Sequence, residues 1–199
     1  MSETEWILRG AIGLSSYVAP AKNLWERLLK FVGNIIRWLS KSIFSHTFVW
    51  IWNDSALGPV VYEAADNGVT VNFADSEGYL NPAKYFVKVY MPLAPKTSID
   101  SGLFAVRRYN GYRYGYLQLI GFAFVYIWLA ITGKRVNNPI KGGIICSELV
   151  IIYLKHVFPH EEEIQRMDRN TTAPEDIYEF VQKRPDLFHE VAIPAPCGD

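Results

Sequence analysis

Short clusters of β-branched and aromatic residues, broken by turn signals, fill the first half of the chain. Longer helical spacings of apolar residues fill the second half. Residues 5–12 read as a strand ending at Gly10 or Gly13. Ser45 to Trp52, rich in Phe, Val, Ile and Trp, predicts a second strand. Asn53-Asp54-Ser55 and Gly58-Pro59 mark a turn, so Val60 to Ala64 forms a hairpin with it. After Asn67-Gly68 comes a strand over Val69 to Phe73, and Tyr85 to Tyr90 gives another, ended by Pro92 and Pro95. Ser98 to Tyr109 is helix or strand. Residues 114–131 predict a helix, as do Ser147 to Val157, with Leu149, Val150, Tyr153, Leu154 and Val157 on one face. Pro174 to Lys183 predicts a last helix, with proline at its first position. Strands followed by helices imply an α+β fold.

Two apolar stretches raise the question of a membrane. Tyr114 to Gly133 has no charged residue over twenty positions, the length that crosses a bilayer. Its densest part, Leu117 to Ile131, is shorter and contains Gln118 and Gly121, which fits a buried core helix. Lys22 to Lys41 is a basic amphipathic helix by pattern, with Trp25, Leu28, Leu29, Val32, Ile35, Ile36 and Leu39 on one face and Lys22, Arg27, Lys30, Arg37 and Lys41 among the rest. Such a helix covers a core or makes peripheral contact with an anionic membrane.

Composition narrows the class. A chain of 199 residues buries a sizeable core without staples. Twenty Lys+Arg balance twenty Asp+Glu, against the basic excess of a nucleic-acid binder. The aromatic content opposes disorder. Two cysteines build no disulfide framework, and the acidic start, Met-Ser-Glu-Thr-Glu-Trp, does not read as a signal peptide. The expectation is a cytoplasmic or peripheral membrane protein with reduced cysteines.

Cys146 is the sharpest chemical feature. Gly142 and Gly143 precede it and a helix pattern follows. A thiol at a helix start feels the positive end of the macrodipole, which favours the thiolate, and the free N–H groups there can receive an oxyanion. A buried structural thiol is the alternative, since free cysteine is among the most buried residue types. Of the four histidines, His156 lies ten residues along the same helix, about 15 Å away. His160 adjoins three glutamates and His189 lies near the C-terminus, which leaves His46 as the best base. Glu63, a carboxylate in an apolar run on the neighbouring strand, is the best group to orient the imidazole. Asp54 and Asp66 are turn residues and weaker candidates. No phosphate loop or metal motif is present, so no cofactor and no metal is expected. Cys197 lies in a Pro/Gly-rich tail.

Three segments fall in a telling order: Ser45-His46-Thr47, then Val61-Tyr62-Glu63-Ala64 with Gly68-Val69, then Cys146-Ser147-Glu148-Leu149-Val150. The set resembles the circularly permuted NlpC/P60 (papain-like) cysteine hydrolases of the YiiX/YaeF and poxvirus G6-like group, in which the cysteine follows the histidine. Tyr112 to Leu119 is similar to that family's tyrosine-containing segment, and Thr172 to Ile177 to its closing motif. The resemblance covers about residues 43–180. It implies an antiparallel sheet or small barrel packed against helices. It also implies Cys146 as nucleophile, His46 as base and Glu63 as the orienting residue.

On that resemblance the chain is a thiol hydrolase acting on a peptide, cell-wall or lipid-linked amide, as one domain over 1–199. A helical insertion is expected at about 15–42 and a loose tail at about 190–199. An acyltransferase or thioesterase acting on lipids is the rival enzyme reading, and an inactive membrane- or partner-binding module the rival non-enzyme one. A membrane span at 114–133 would hold His46 and Cys146 on opposite sides of a bilayer. The same reading therefore makes that segment a buried helix.

Overall fold

In a computed structural model, residues 8–20, 34, 37, 43–54, 58–134, 136–140 and 142–193 are described. The central strands are β2 (His46–Asp54), β3 (Gly58–Ala65) and β4 (Gly68–Phe73), an antiparallel meander. With β1 (Ile12–Tyr17), β5 (Tyr85–Pro92) and β6 (Phe188–Val191) they form one six-stranded antiparallel sheet of order β4-β3-β2-β1-β5-β6. The helices are α1 (Ala74–Glu77), α2 (Lys96–Arg107), α3 (Tyr116–Thr132), α4 (Cys146–Val157), α5 (Glu162–Arg166) and α6 (Pro174–Lys183). The architecture is α+β, as the element pattern implied.

The run of large apolar residues in β2 is explained by burial of both its faces. Val49 and Ile51 join a core with Leu149, Tyr153 and Leu154 of α4. Phe48 and Trp50, pointing the other way, join a second core with Leu8, Val61 and Tyr79. Successive residues on a strand face opposite sides, so a strand covered on both must be apolar throughout. α4 is central in the same sense: Ile151 and Ile152 are buried along with the face expected from the spacing. α2 approaches it closely at Gly102, where a side chain would run into Tyr153 and Val157. α6 begins as expected, with Pro174 in its first position and the Asp176 carboxylate accepting the Ala173 N–H at 2.7 Å.

Several expectations change. The first strand lies at Ile12–Tyr17 rather than 5–12; Gly10, at φ +83°, makes the turn before it, and residues 1–7 lie outside the described set. β1 fills the place between β2 and β5, so residues 15–17 belong to the sheet and not to an insertion. The 22–41 helix lies outside the described residues apart from Asn34 and Arg37, whose Nη1 donates to the Ser16 hydroxyl at 2.5 Å. Glu190 and Val191, expected in the loose tail, pair with Tyr90 and Val89 of β5 as part of β6, and residues 194–199 lie outside the described set. Ser98–Tyr109 resolves as helix, within α2.

The largest correction concerns α3, which is not a buried core helix. Gln118, Gly121, Val125 and Tyr126 face inward, but Leu117, Phe124, Ile127, Trp128 and Ile131 are exposed. Among the described residues, no helix is long and apolar enough to cross a membrane.

Candidate active site

The site forms where β2 begins and β3 ends. Phe48 of β2 stands directly opposite Glu63 of β3. His46, two residues before Phe48, therefore lies on the same face as Glu63 and diagonal to it, within reach of a long side chain. The His46 Nε2 and Glu63 Oε2 atoms are 2.9 Å apart. Glu63 is 1% exposed, and such burial of a carboxylate is tolerable only with full hydrogen bonding. Asn72 Nδ2, from the next strand, donates to Glu63 Oε1 at 2.8 Å, and the Tyr79 hydroxyl donates to Oε2. Burial opposes the charged form of Glu63. The bonds from His46, Asn72 and Tyr79 outweigh it and hold the carboxyl below its ordinary range. The Tyr79 phenol, buried beside this anion, is held well above its ordinary value and stays a donor.

The other side of the imidazole meets Cys146. With Nε2 engaged by Glu63, Nδ1 is the nitrogen left to interact with the thiol. Burial disfavours charge on both groups. It is overcome at Cys146 by the imidazolium charge, the bond to His46 and the Thr47 backbone N–H, so the thiol is pulled below its ordinary value. At His46 burial is overcome by the Cys146 thiolate and by Glu63, and its pKa rises to about 10. Both shifts favour the thiolate and imidazolium forms of the pair. The Thr47 hydroxyl also favours the thiolate, but its oxygen closes no hydrogen bond of ordinary geometry, so the backbone N–H carries more weight.

Cys146 is the first residue of α4, and the residue before it, Ile145, offers no side-chain cap. The first N–H groups of a helix lack intrahelical acceptors, and Cys146 lies among them at the positive end of the helix dipole. The strand-like lead-in is fixed by a short parallel bridge between Tyr114 and Ile144, with Ile144 N donating to Arg113 O at 3.0 Å and Gly115 N to Ile144 O at 3.2 Å. Gly143, at φ +85°, lets the backbones approach here; a side chain would strike Arg113 and Gly115. The bridge also brings Tyr114 beside the nucleophile. Burial and the charge on Cys146 together raise the Tyr114 phenol well above its ordinary value, so it remains an O–H donor.

Glu148 has a different role. Buried on α4, it accepts from Gln118 Nε2 of α3 at 3.2 Å and pairs with Arg169 Nε at 3.3 Å, tying α3 to the start of the cysteine helix. Burial raises its pKa despite both partners.

Of the three residues singled out from the sequence, His46 and Glu63 are hydrogen-bonded to each other and Cys146 lies beside His46. Asp66 stays apart, exposed and bonded to its neighbour's N–H. His156 bonds the Ile152 carbonyl, and His160 and His189 are exposed. Cys197 lies outside the described residues. Sequence reasoning missed Asn72, Tyr79 and the position of Tyr114. The first could have been sought on the strand after Glu63, at a position of matching face, whereas Tyr79 arrives through a loop with no periodic signal. Among the described residues, no group of three or more His, Cys, Asp or Glu is placed to hold a metal ion. No protein-family model matches the chain, and no curated protein matches it.

Proposed function

We propose that the chain is a cysteine hydrolase that cleaves an amide bond through an acyl-enzyme on Cys146. The observation that carries this reading is that the His46 ring is bonded to the buried Glu63 carboxylate and lies near enough to Cys146 for each to favour the other's charged form. In that arrangement the Cys146 thiolate attacks the carbonyl carbon, and the oxyanion takes hydrogen bonds from the N–H groups at the start of α4 and from the Tyr114 hydroxyl. His46 gives its proton to the leaving amine as the carbon–nitrogen bond breaks. Water then attacks the thioester, His46 takes its proton, and Cys146 leaves as thiolate. Glu63 holds the ring's orientation and favours its charged form.

The fold is read as permuted NlpC/P60 and papain-like. The nucleophile starts a helix packed on an antiparallel sheet, base and orienting group sit on adjacent strands, and the cysteine follows the histidine in the chain. Substrates are peptide, cell-wall peptide or lipid-linked amides. One observation favours the second enzyme reading, transfer or hydrolysis of lipid acyl groups: the exposed apolar side of α3 begins next to Tyr114, beside the nucleophile.

The test is a panel of peptide amides, muropeptides, N-acyl lipids and acyl esters, assayed with the full chain and with Cys146→Ala. Turnover of at least one class, lost in the variant, is expected. Turnover that survives Cys146→Ala would refute the mechanism. Absence of turnover together with an unreactive thiol favours a binding module.

A further inference from the structure

The two sides of α3 face different surroundings with the same kind of residue. The helix has no charged side chain. Its inner side is anchored by polar bonds: Gln118 to Glu148, the Tyr126 hydroxyl to Asp176 at 2.8 Å, and Asn138 Nδ2 to the Gln118 carbonyl at 2.9 Å. Gly121 lies so close to Asn138 that a side chain there would collide with its amide. The outer side carries Leu117, Phe124, Ile127, Trp128 and Ile131, exposed by 66%, 48%, 46%, 42% and 77%. At about 100° per residue these five fall within an arc of roughly 100°. The outward side of a surface helix is normally polar, and a contiguous apolar patch of this kind marks a docking surface.

Charge identifies the occupant. From Ser101 to Ser147 the chain has no Asp or Glu, but it has Arg107, Arg108, Arg113, Lys134, Arg135 and Lys141. Arg113 and Lys134, which bracket α3, are exposed. A second copy docked on this face would bring the exposed Arg113 and Lys134 of one copy toward those of the other, while the helix between them has no acid of its own to offset them. An anionic lipid surface satisfies both features, accepting apolar side chains below the headgroups and attracting cations at their level. Trp128, Tyr112 and Tyr116 are exposed amphipathic rings suited to that depth. The helix is about 25 Å long and lies along the surface rather than across it.

We infer that α3 docks the protein on anionic membranes, with Leu117, Phe124, Ile127, Trp128 and Ile131 inserted between headgroups and Arg113 and Lys134 on lipid phosphates. Docking also orients the site. Tyr116 packs edge-on against Tyr114, ring centroids 4.9 Å apart, and Tyr114 lies beside Cys146. On the proposed thiol chemistry, the nucleophile then faces the interface, which fits a membrane-borne acyl substrate. The docking itself does not depend on that chemistry.

Flotation of the full chain tests this with vesicles of phosphatidylglycerol and phosphatidylcholine in equal parts, and of phosphatidylcholine alone. Binding to the anionic vesicles is expected, weaker on neutral ones and weakened by salt. The triple variant Leu117→Asn, Trp128→Gln, Ile131→Asn is expected to lower partitioning by about tenfold or more. Unchanged Cys146 alkylation in that variant shows that the fold is kept. Should it misfold, Arg113→Glu with Lys134→Glu gives the second readout, a loss confined to anionic vesicles. No flotation of the wild-type chain overturns the inference. So does equal flotation of the triple variant, or self-association of the wild-type chain through this face without vesicle binding. Cys146→Ala separates the two proposals, since it abolishes turnover while leaving flotation intact.

Discussion

His46 and Glu63 meet across two adjacent strands, Nε2 to Oε2 at 2.9 Å, with the carboxylate buried and the imidazole about one-fifth exposed. The contact follows from register. Phe48 is the direct partner of Glu63, and the histidine two residues earlier reaches it diagonally. The ring's orientation is thus set by the sheet.

Replacing Glu63 with Gln keeps the shape and removes the charge. The amide stabilises the imidazolium poorly, so turnover falls by about 10²- to 10⁴-fold. Glu63→Ala goes further and leaves Asn72, Tyr79 and His46 without their acceptor, which lowers folding stability by roughly 3 kcal/mol. Steady-state kinetics and urea unfolding check the two effects separately.

The pH dependence follows from three shifts. His46, raised to about 10, contributes stability that is complete below its ordinary 6.5 and lost as pH rises through about 10. Glu63, lowered, contributes stability present above 4.5 and lost as pH falls through its native value. Cys146, lowered, contributes stability present above 9.0 and lost as pH falls through its native value. Because the thiolate is the leading influence raising His46, Cys146→Ala brings the histidine's pKa down. The alkaline loss of stability contributed by His46 then begins at lower pH. Histidine ring NMR across pH measures this directly; a His46 that titrates near 6.5 in both proteins contradicts it.

Tyr79→Phe removes one donor to Glu63 while keeping the ring that stacks on Phe48 at 4.4 Å. The expected cost is about 1–2 kcal/mol of stability. His46 titrates differently because its carboxylate partner is less well held. The same NMR titration and thermal unfolding check it.

Tyr114→Phe tests the oxyanion assignment. The variant lowers kcat by about tenfold or more with little change in KM, because the hydroxyl acts where charge develops. Alkylation of Cys146 stays near the wild-type rate, since no oxyanion forms in that reaction. Equal losses in both assays instead assign Tyr114 to holding the thiol in place.

The α+β class, the central strands and the cysteine helix were legible because their signals are local: turn residues at 53–55 and 67–68, β-branched runs between them, and apolar spacing after Cys146. The line of Cys146, His46 and Glu63 was legible by elimination among few histidines and from an acid in an apolar strand. What escaped depends on distant partners. β1 starts later than its apolar residues suggest because its place is fixed by pairing with both β2 and β5. α3 has apolar residues on every side, so the pattern alone does not tell a buried helix from one with an exposed apolar face. Tyr79 reaches Glu63 from a loop, and Tyr114 reaches the thiol through a two-residue bridge; neither has a periodicity to read.

Alkylation by iodoacetamide near pH 6 tests the central claim, an imidazolium-stabilised thiolate at Cys146, most directly. At this pH an ordinary thiol is almost wholly protonated and reacts slowly. The wild-type chain is predicted to react at Cys146 at least about tenfold faster than a free thiol, with that advantage lost in His46→Ala. Labelling no faster than a free thiol, and unchanged by His46→Ala, would contradict the account.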